Sequence, residues 1–284
     1  MIQKLLSHRL RGFGAYEHSP SALVEACKSG VAYLEVDTRV SSDGVIFIYH
    51  DPKLGDDVGR SGSIATMHSV QLRKVTFVDG QPLMDLEQLL GTFSKCGHAG
   101  AMLCLDIKDL GFEQAHLDAV RRFGLESRVV FVSWIPQVLR QLAAMGARCP
   151  LILSHLNVTA LGTMGRVAER TTRQAMLRAG HFVLLGRDRT ADGLGGLTHG
   201  FQHALVCCEL PLDLRTVLSD SGGGVAIPIQ LVSNGLRTYC VSQKLKLWVF
   251  SVRTVAGFAK YAGMPGVDVV FSDNAKCVLQ SRPG

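Results

Sequence analysis

The chain has 284 residues, of which 47% are hydrophobic and 19% charged, a balance that excludes an intrinsically disordered protein and suffices for one large core. The formal net charge is +6, but the basic residues are scattered without a long run, so we expect a small anionic substrate and no nucleic-acid partner. The N-terminal residues lack the pattern of a signal peptide, and no window of about 18 apolar residues occurs. We therefore expect a cytoplasmic protein without a membrane span. The eight cysteines form no C-x-x-C pair, which indicates reduced thiols without a catalytic role.

Short apolar runs alternate with amphipathic segments along the whole chain. The apolar runs predict strands at Lys4–Ser7, Tyr33–Asp37, Val45–His50, Met102–Ile107, Val129–Ser133, Leu151–Ser154, Phe182–Leu185, Leu205–Glu209, Ile227–Ile229, Leu247–Val252 and Val269–Ser272. The amphipathic segments predict helices at Ser21–Ser29, Asp85–Phe93, Phe112–Phe123, Ile135–Met145, Arg166–Ala179, Leu212–Ser219, Leu236–Gln243 and Val255–Ala262.

This alternation predicts a parallel α/β fold, and the length matches an eight-stranded (β/α)8 TIM barrel that forms one domain over residues 1–284. A doubly wound open sheet is the alternative. It is weakened because no G-x-G-x-x-G motif follows the first strand. The stretch Gly186–His203, rich in Gly, Asp, Arg and Thr, predicts a long loop that could cover the site.

Polar residues follow four of the apolar runs. They are Ser7-His8-Arg9, Glu35-Val36-Asp37, Tyr49-His50-Asp51 and Asp106-Ile107-Lys108. Since the carboxyl ends of parallel barrel strands form the active-site face, we expect these side chains to meet there. A histidine or an ion pair at a single strand end is usually structural, so the prediction rests on the coincidence of all four.

The residue types in this set indicate metal-assisted cleavage of a phosphate ester. Side chains two apart on a strand share a face, so Glu35 and Asp37 should both point into the barrel while Val36 points out toward the helices. Together with Asp106, they offer oxygen ligands that suit one Mg²⁺ or Ca²⁺ ion. Arg9 and Lys108 could neutralise a phosphate. The two histidines, His8 and His50, have side chains suited to acid–base catalysis near neutral pH.

The order of these motifs resembles the glycerophosphodiester phosphodiesterase family. That family opens with His-Arg-Gly, Glu-Asn-Thr, Glu-x-Asp, Thr-x-Asp-Gly and His-Asp, and later has Glu-Ile-Lys, Trp-Thr-Val and Gly-Val-Asp followed by Thr-Asp. The matching segments here are His8-Arg9, Glu17-His18-Ser19, Glu35-Val36-Asp37, Ser42-Asp43-Gly44, His50-Asp51, Leu105-Asp106-Ile107-Lys108, Val249-Phe250-Ser251-Val252 and Gly266-Val267-Asp268 to Ser272-Asp273. Residues from about 155 to 245 match poorly.

Several departures from the family pattern bear on the substrate. The first motif is expanded to His8-Arg9-Leu10-Arg11-Gly12, and His18 stands where the family has Asn. Asp106 replaces the usual Glu, as in the related spider-venom sphingomyelinase D enzymes, and Arg253 replaces an Asn. None of these changes removes a catalytic group, but they leave the alcohol part of the substrate open.

The resemblance implies metal-dependent hydrolysis of a small-molecule glycerophosphodiester to an alcohol and glycerol 3-phosphate. It implies a metal on Glu35, Asp37 and Asp106, a phosphate held by Arg9 and Lys108, and His8 and His50 as base and acid in an order that the sequence does not fix. Trp134, after another strand, is either a wall of the substrate pocket or a core residue. The alternatives are a sugar phosphodiester of the agrocinopine type, a lyase that forms a cyclic phosphate, or a non-catalytic phosphate-binding barrel. The sequence specifies no oligomeric state.

Overall fold

The structure, a computed structural model, describes residues 1–154, 182–186, 203–207, 210 and 212–281. None of the helices in these ranges combines the length and the hydropathy that crossing a membrane requires.

Eight parallel strands form a closed barrel, which confirms the predicted fold. Its strands, with the numbering used below, are β1 (Leu5–Ser7), β2 (Tyr33–Val40), β6 (Met102–Ile107), β7 (Val129–Ser133), β8 (Leu151–Ser154), β11 (Gly224–Pro228), β12 (Lys246–Val252) and β13 (Val269–Ser272). Each strand pairs in parallel with its neighbour in the ring, and the pairing of β1 with both β13 and β2 closes the sheet.

Helices pack around the barrel close to the predicted positions. They are α1 (Pro20–Lys28), α2 (Ser69–Leu72), α3 (Leu86–Cys96), α4 (Glu113–Arg122), α5 (Pro136–Ala144), α6 (Leu212–Asp220), α7 (Asn234–Ser242), α8 (Val255–Ala262) and α9 (Ala275–Gln280). Local chemistry sets several starts. Ser19 caps α1 ahead of Pro20, and Asp85 forms a capping box with Gln88 at α3. The sequence prediction missed α2 and α9, which are too short to show a periodic apolar pattern.

Two apolar layers result from the alternation of side chains along the strands. Outward residues such as Val36 and Leu105 pack against the helices in the larger cluster. Inward residues such as Leu6, Cys104 and Trp248 fill the barrel itself. Glu35 and Asp37 lie on the inward face and are buried, as the spacing predicts. The interior is thus apolar below the carboxylates, which lie toward the carboxyl end of the barrel.

Three predicted strands do not belong to the barrel, which corrects the strand count. The run that leads to His50 contains β3 (Ile46–Ile48), which pairs antiparallel with the end of β2. Likewise β9 (Phe182–Gly186) and β10 (His203–Cys207) pair antiparallel with each other. An apolar run of this length has the same pattern in a barrel strand and in a hairpin, so periodicity could not separate the two. The predicted helix 166–179 and most of the predicted loop 186–203 lie outside the described residues.

A small group of short secondary-structure elements lies in the chain between β3 and α3. It contains a hairpin of β4 (Lys53–Leu54) and β5 (Gly62–Ser63), together with α2. Its own apolar cluster includes Phe47, Phe77 and Leu83. The sequence analysis predicted only the helix Asp85–Phe93 in this region, so it missed the hairpin and α2.

Candidate active site

Three buried carboxylates converge at the carboxyl end of β2 and β6. The parallel register of these strands places Asp37 directly beside Asp106, with Glu35 two residues earlier on the same face. One oxygen from each of the three side chains lies within 4.8 Å of the others. The predicted cluster therefore exists in the fold and is small enough to surround one metal ion.

The ammonium of Lys108 lies among these carboxylates. Its Nζ is 2.8 Å from Asp37 Oδ1 and 2.5 Å from Asp106 Oδ2, and it lies 5.3 Å from the ring centre of Trp134. Burial would lower the pKa of Lys108, but the carboxylates reverse the shift and raise it. Lys108 is therefore a fixed cation of the cluster. Trp134 is half-buried beside the outer apolar layer, and Lys108 lies over its ring.

The three carboxylates differ in how readily they ionise. Burial, reinforced by the neighbouring carboxylates, raises the pKa of Glu35 well above its usual range. Burial also raises the pKa of Asp106. Burial would likewise raise the pKa of Asp37, but Lys108 and His18 hold it well below its usual range. A further positive charge beside Glu35 and Asp106 would favour their ionised forms.

A divalent cation fits this position. The donor set consists only of carboxylate oxygens, which suits Mg²⁺ or Ca²⁺. Asp106 Oδ1 is buried and makes no hydrogen bond to any described residue. A buried carboxylate oxygen without a partner is costly, and a metal ligand bond would satisfy it.

His8 lies immediately after β1 and is held by Asp273, which follows β13. The Nδ1–H group of His8 donates to Asp273 Oδ1 at 2.6 Å. Ser251 and Arg11 also donate to this carboxylate, at 2.9 and 3.1 Å. Burial lowers the pKa of His8, and the hydrogen bond to Asp273 opposes that shift. The bond fixes Nδ1 as the protonated nitrogen, so Nε2 is the basic atom of this imidazole.

His50 follows the antiparallel strand β3 and lies at the same face, where two hydrogen bonds hold it. Its Nδ1–H donates to Asp51 Oδ1 at 2.7 Å. Arg39 Nε donates to the His50 backbone carbonyl at 2.8 Å, and the Arg39 guanidinium also pairs with Asp109 at 3.3 Å. Burial lowers the pKa of His50 to about 4, against the opposing charge of Asp37. His8 follows β1 and His50 follows β3, and both strands pair with β2, so the two histidines flank the strand that carries Glu35 and Asp37.

The turn after His8 takes an unusual backbone path. Arg9 and Leu10 both have left-handed φ values, 55° and 58°, which non-glycine residues seldom adopt. Leu10 is buried in the outer layer, and the backbone N–H of Arg9 donates to Glu35 Oε2 at 2.8 Å. Glu17 accepts from Arg9 at 3.5 Å and from Arg11 at 2.6 Å. Glu17 therefore holds the turn after His8 to the segment that precedes α1.

His18 is a site residue whose role the sequence analysis did not identify. It is 1% exposed, and its Nε2 accepts the Asp37 backbone N–H at 3.3 Å and lies 3.2 Å from Asp37 Oδ2. The only signal in the sequence was its departure from the family's Asn. Asp273 and Arg39 were also missed as partners, because their contacts join positions far apart in sequence or reach a backbone atom. No sequence spacing encodes such contacts.

Comparison with known proteins places the chain in a family. Residues 6–195 match the model of the glycerophosphoryl diester phosphodiesterase family. The chain belongs to that family. A Mycobacterium tuberculosis relative named probable glycerophosphodiester phosphodiesterase 2 is 28% identical over 163 residues. That match covers 54% of this chain and 60% of the relative, so the chain spans less than two thirds of the curated relative's length.

Solved structures of the family share the fold over nearly the full chain. An Oleispira antarctica phosphodiesterase in complex with the product sn-glycerol-3-phosphate has a TM-score of 0.66 at 16% identity, covering 98% of this chain and 95% of that one. A glycerophosphodiester phosphodiesterase from Parabacteroides distasonis has a TM-score of 0.65 at 16% identity, covering 98% and 97%. At this identity, the likeness establishes the barrel fold.

Proposed function

We propose that the chain hydrolyses a glycerophosphodiester to an alcohol and glycerol 3-phosphate. The observation that carries the proposal is the placement of two histidine–aspartate pairs, His8–Asp273 and His50–Asp51, around one buried cluster of three carboxylates. A protein that only binds phosphate has no need for two oriented imidazoles beside such a cluster. Membership of the family and the product bound by the Oleispira antarctica neighbour support the same reaction.

Glu35, Asp37 and Asp106 would hold one divalent cation. When bound there, the cation supplies positive charge that polarises a phosphoryl oxygen and stabilises the transition state. Arg9 and Lys108 carry further positive charge to the same face and would help to hold the phosphate. Lys108 Nζ pairs with two carboxylates and lies over the ring of Trp134. To bind the phosphate as well, the ammonium must direct one of its three N–H groups toward the substrate.

The two histidines would move the protons. We assign His8 as the base, with Nε2, the ring nitrogen that Asp273 does not hold, taking a proton from water. We assign His50 as the acid that protonates the leaving alkoxide. The anionic substrate would bring negative charge beside His50. That charge would raise the pKa of the His50 imidazole, so that it carries the proton that the reaction needs.

Phosphorus NMR of reaction mixtures tests the proposed reaction. With Mg²⁺ or Ca²⁺ present, glycerophosphocholine should yield glycerol 3-phosphate as the sole phosphorus product, and a chelator should abolish the reaction. A sugar phosphodiester and a lysophospholipid serve as comparison substrates. A cyclic phosphate product, a strong preference for the sugar diester, or full activity with chelator would each contradict the proposal.

A further inference from the structure

The order of strands in the barrel separates two groups of charged residues at the catalytic face. Around the ring, β12, β13, β1 and β2 follow one another. Arg253 comes directly after β12, Asp273 after β13, and His8 and Arg11 after β1, while β2 carries two carboxylates of the cluster. His8 therefore has the carboxylate cluster on one side. On its other side are two arginines that the proposed mechanism does not use.

Asp273 brings these two arginines together. Arg11 Nη1 donates to Asp273 Oδ1 at 3.1 Å, and Arg253 Nε lies 3.6 Å from Asp273 Oδ2. The same carboxylate also accepts from His8 and Ser251. Burial would raise the pKa of Asp273, but the hydrogen bonds from His8 and Ser251 hold it below its usual range, so the carboxylate is charged. Its single negative charge is shared and does not neutralise both guanidinium groups.

A third cation lies beside the same turn. Gly12, which follows Arg11, has a left-handed φ of 84° and lies against the start of α9. A Cβ at Gly12 would be 3.8 Å from the Cβ of Lys276. Lys276 is exposed and forms no ion pair with a residue that the structure describes. Positive charge therefore reaches this part of the rim from three separate segments of the chain.

The two guanidinium groups keep donors that a ligand can use. Glu17 accepts from Arg11 Nε and Asp273 from Nη1, but Arg11 Nη2 makes no hydrogen bond to a described residue. The side chain of Arg253 is 87% exposed, and an exposed ion pair such as the one with Asp273 contributes little stability. Guanidinium groups bind phosphate oxygens through paired N–H donors. The arrangement therefore suits a phosphate group.

We propose that Arg11, Arg253 and Lys276 form a second anion site, which binds a second phosphate group on the glycerol part of the substrate. The inference rests on the proposed function and names its substrate class, a glycerophosphodiester whose glycerol carries a further phosphate. His50, the acid in that proposal, follows the hairpin partner of β2, so the leaving alcohol extends to that side. The retained glycerol is the part of the substrate that can extend past His8 toward β13 and β12.

Calorimetric titration of phosphate ligands tests the second anion site without relying on turnover. Glycerol 1,3-bisphosphate is compared with glycerol 3-phosphate in a buffer with Mg²⁺, and 3-phosphoglycerate supplies a carboxylate in place of the second phosphate. We expect the wild-type chain to bind the bisphosphate about tenfold more tightly than glycerol 3-phosphate, with 3-phosphoglycerate in between. The advantage should decrease as salt is added, because the cations are exposed.

Charge variants assign this preference to the proposed residues. Arg253→Glu should abolish the preference for the bisphosphate, and Lys276→Ala should reduce it. Arg148→Glu is the matched control, because Arg148 is exposed, lies just before β8 at the amino end of the barrel and forms no ion pair with a described residue. This control should keep the full preference. Arg11 is left unchanged, since its replacement would also remove a hydrogen bond of Asp273.

Hydrolysis then connects the second anion site with the reaction. Glycerophosphocholine is compared with the same diester phosphorylated on the free primary hydroxyl of its glycerol. The value of kcat/KM should be about tenfold higher for the phosphorylated diester, mainly through a lower KM, because the second phosphate adds binding away from the reacting bond. Arg253→Glu should remove this advantage, and Arg148→Glu should retain it.

The outcomes separate this inference from the proposed function. Equal affinity of the wild-type chain for glycerol 1,3-bisphosphate and glycerol 3-phosphate would overturn the inference and leave the proposed function standing. Equal affinity for the bisphosphate and 3-phosphoglycerate would also overturn it, as would a full preference in Arg253→Glu. Hydrolysis of neither diester would contradict the proposed function and the substrate class with it, while the titrations would decide separately whether the second anion site exists.

Discussion

The carboxylates of the site show what a short motif can predict at the scale of single residues. The i, i+2 spacing of Glu35 and Asp37 placed both on one strand face, and the structure confirms this arrangement. Asp106 follows from the register between β2 and β6, which sets it beside Asp37. The partners that orient the histidines were harder to predict from the sequence. Asp273 lies 265 positions from His8, so only the closure of the barrel brings them together.

Cation binding at the three carboxylates should release protons. Since Glu35 has a raised pKa in the protein alone, it must lose its proton before it can serve as a ligand. The affinity for Mg²⁺ or Ca²⁺ should therefore increase as the pH rises. The heat of binding should also depend on the ionisation enthalpy of the buffer. Titration calorimetry in two buffers measures both effects.

Matched variants locate this binding. Asp106→Asn should weaken it at least about tenfold, whereas Asp118→Asn on the outer face of α4 should leave it unchanged. Equal affinity in wild-type chain and Asp106→Asn would show that the cation does not use this cluster.

At the scale of elements, the hairpin of β2 and β3 explains how His50 arrives at the barrel mouth. β3 runs antiparallel to the end of β2, back from the rim of the barrel, and His50 follows it. The position of His50 therefore depends on this hairpin. Arg39 joins the two parts, since it extends from β2 to the His50 carbonyl and to Asp109, the residue after Lys108. The pair of Arg39 and Asp109 is nearly buried and links the segments that carry Asp37, Lys108 and His50.

Arg39→Lys should reduce kcat about tenfold or more with little change in KM, because misplacement of a catalytic group by about 1 Å has large effects. Lysine keeps the charge beside Asp109 but lacks the planar fork that serves two acceptors at once. Arg128→Lys is the matched control: Arg128 also donates to backbone carbonyls, those of Gly97 and His98, but at the opposite end of the barrel. Equal kinetic effects of the two variants would argue against a positioning role.

His116 ties α4 to β2 and should make stability depend on pH. Its Nδ1–H donates to the Phe112 carbonyl at 2.8 Å, and its Nε2 accepts from the Thr38 hydroxyl at 3.0 Å. Burial lowers its pKa from 6.5 to about 4. Its folded pKa is lowered, so its stabilising contribution is complete above pH 6.5 and is lost as the pH falls toward 4.

At pH 5, this effect amounts to about 2 kcal/mol relative to neutral pH. Urea unfolding of the wild-type chain at pH 7 and pH 5 measures it, and His116→Gln should show a smaller loss between the two. A variant with the same loss as the wild-type chain would assign the pH dependence to other groups.

At the scale of the whole molecule, the alternation of strands and helices predicted the barrel, while the assignment of individual strands was only partly correct. The apolar runs 182–185 and 205–209 looked like barrel strands but pair with each other. Likewise, the run that leads to His50 folds back on β2. Pairing partners depend on contacts between distant parts of the chain, which local periodicity does not record.

The barrel also explains why the basic excess of the chain is compatible with an acidic centre. Arg9 and Lys108 are held against carboxylates at the catalytic face, and Arg11 is engaged by Glu17 and Asp273. The positive charge at this face is therefore held in place by pairing with carboxylates.

The most direct test of the central claim is the turnover of glycerophosphocholine by His8→Ala and His50→Ala, measured by phosphorus NMR with saturating Mg²⁺ or Ca²⁺. Calorimetric titration of the cation into each variant checks that the carboxylate cluster is intact. Each variant should lose about a hundredfold or more in kcat while still binding the cation, because the proposed mechanism has each histidine transfer a proton. Turnover close to that of the wild-type chain in either variant would contradict the account.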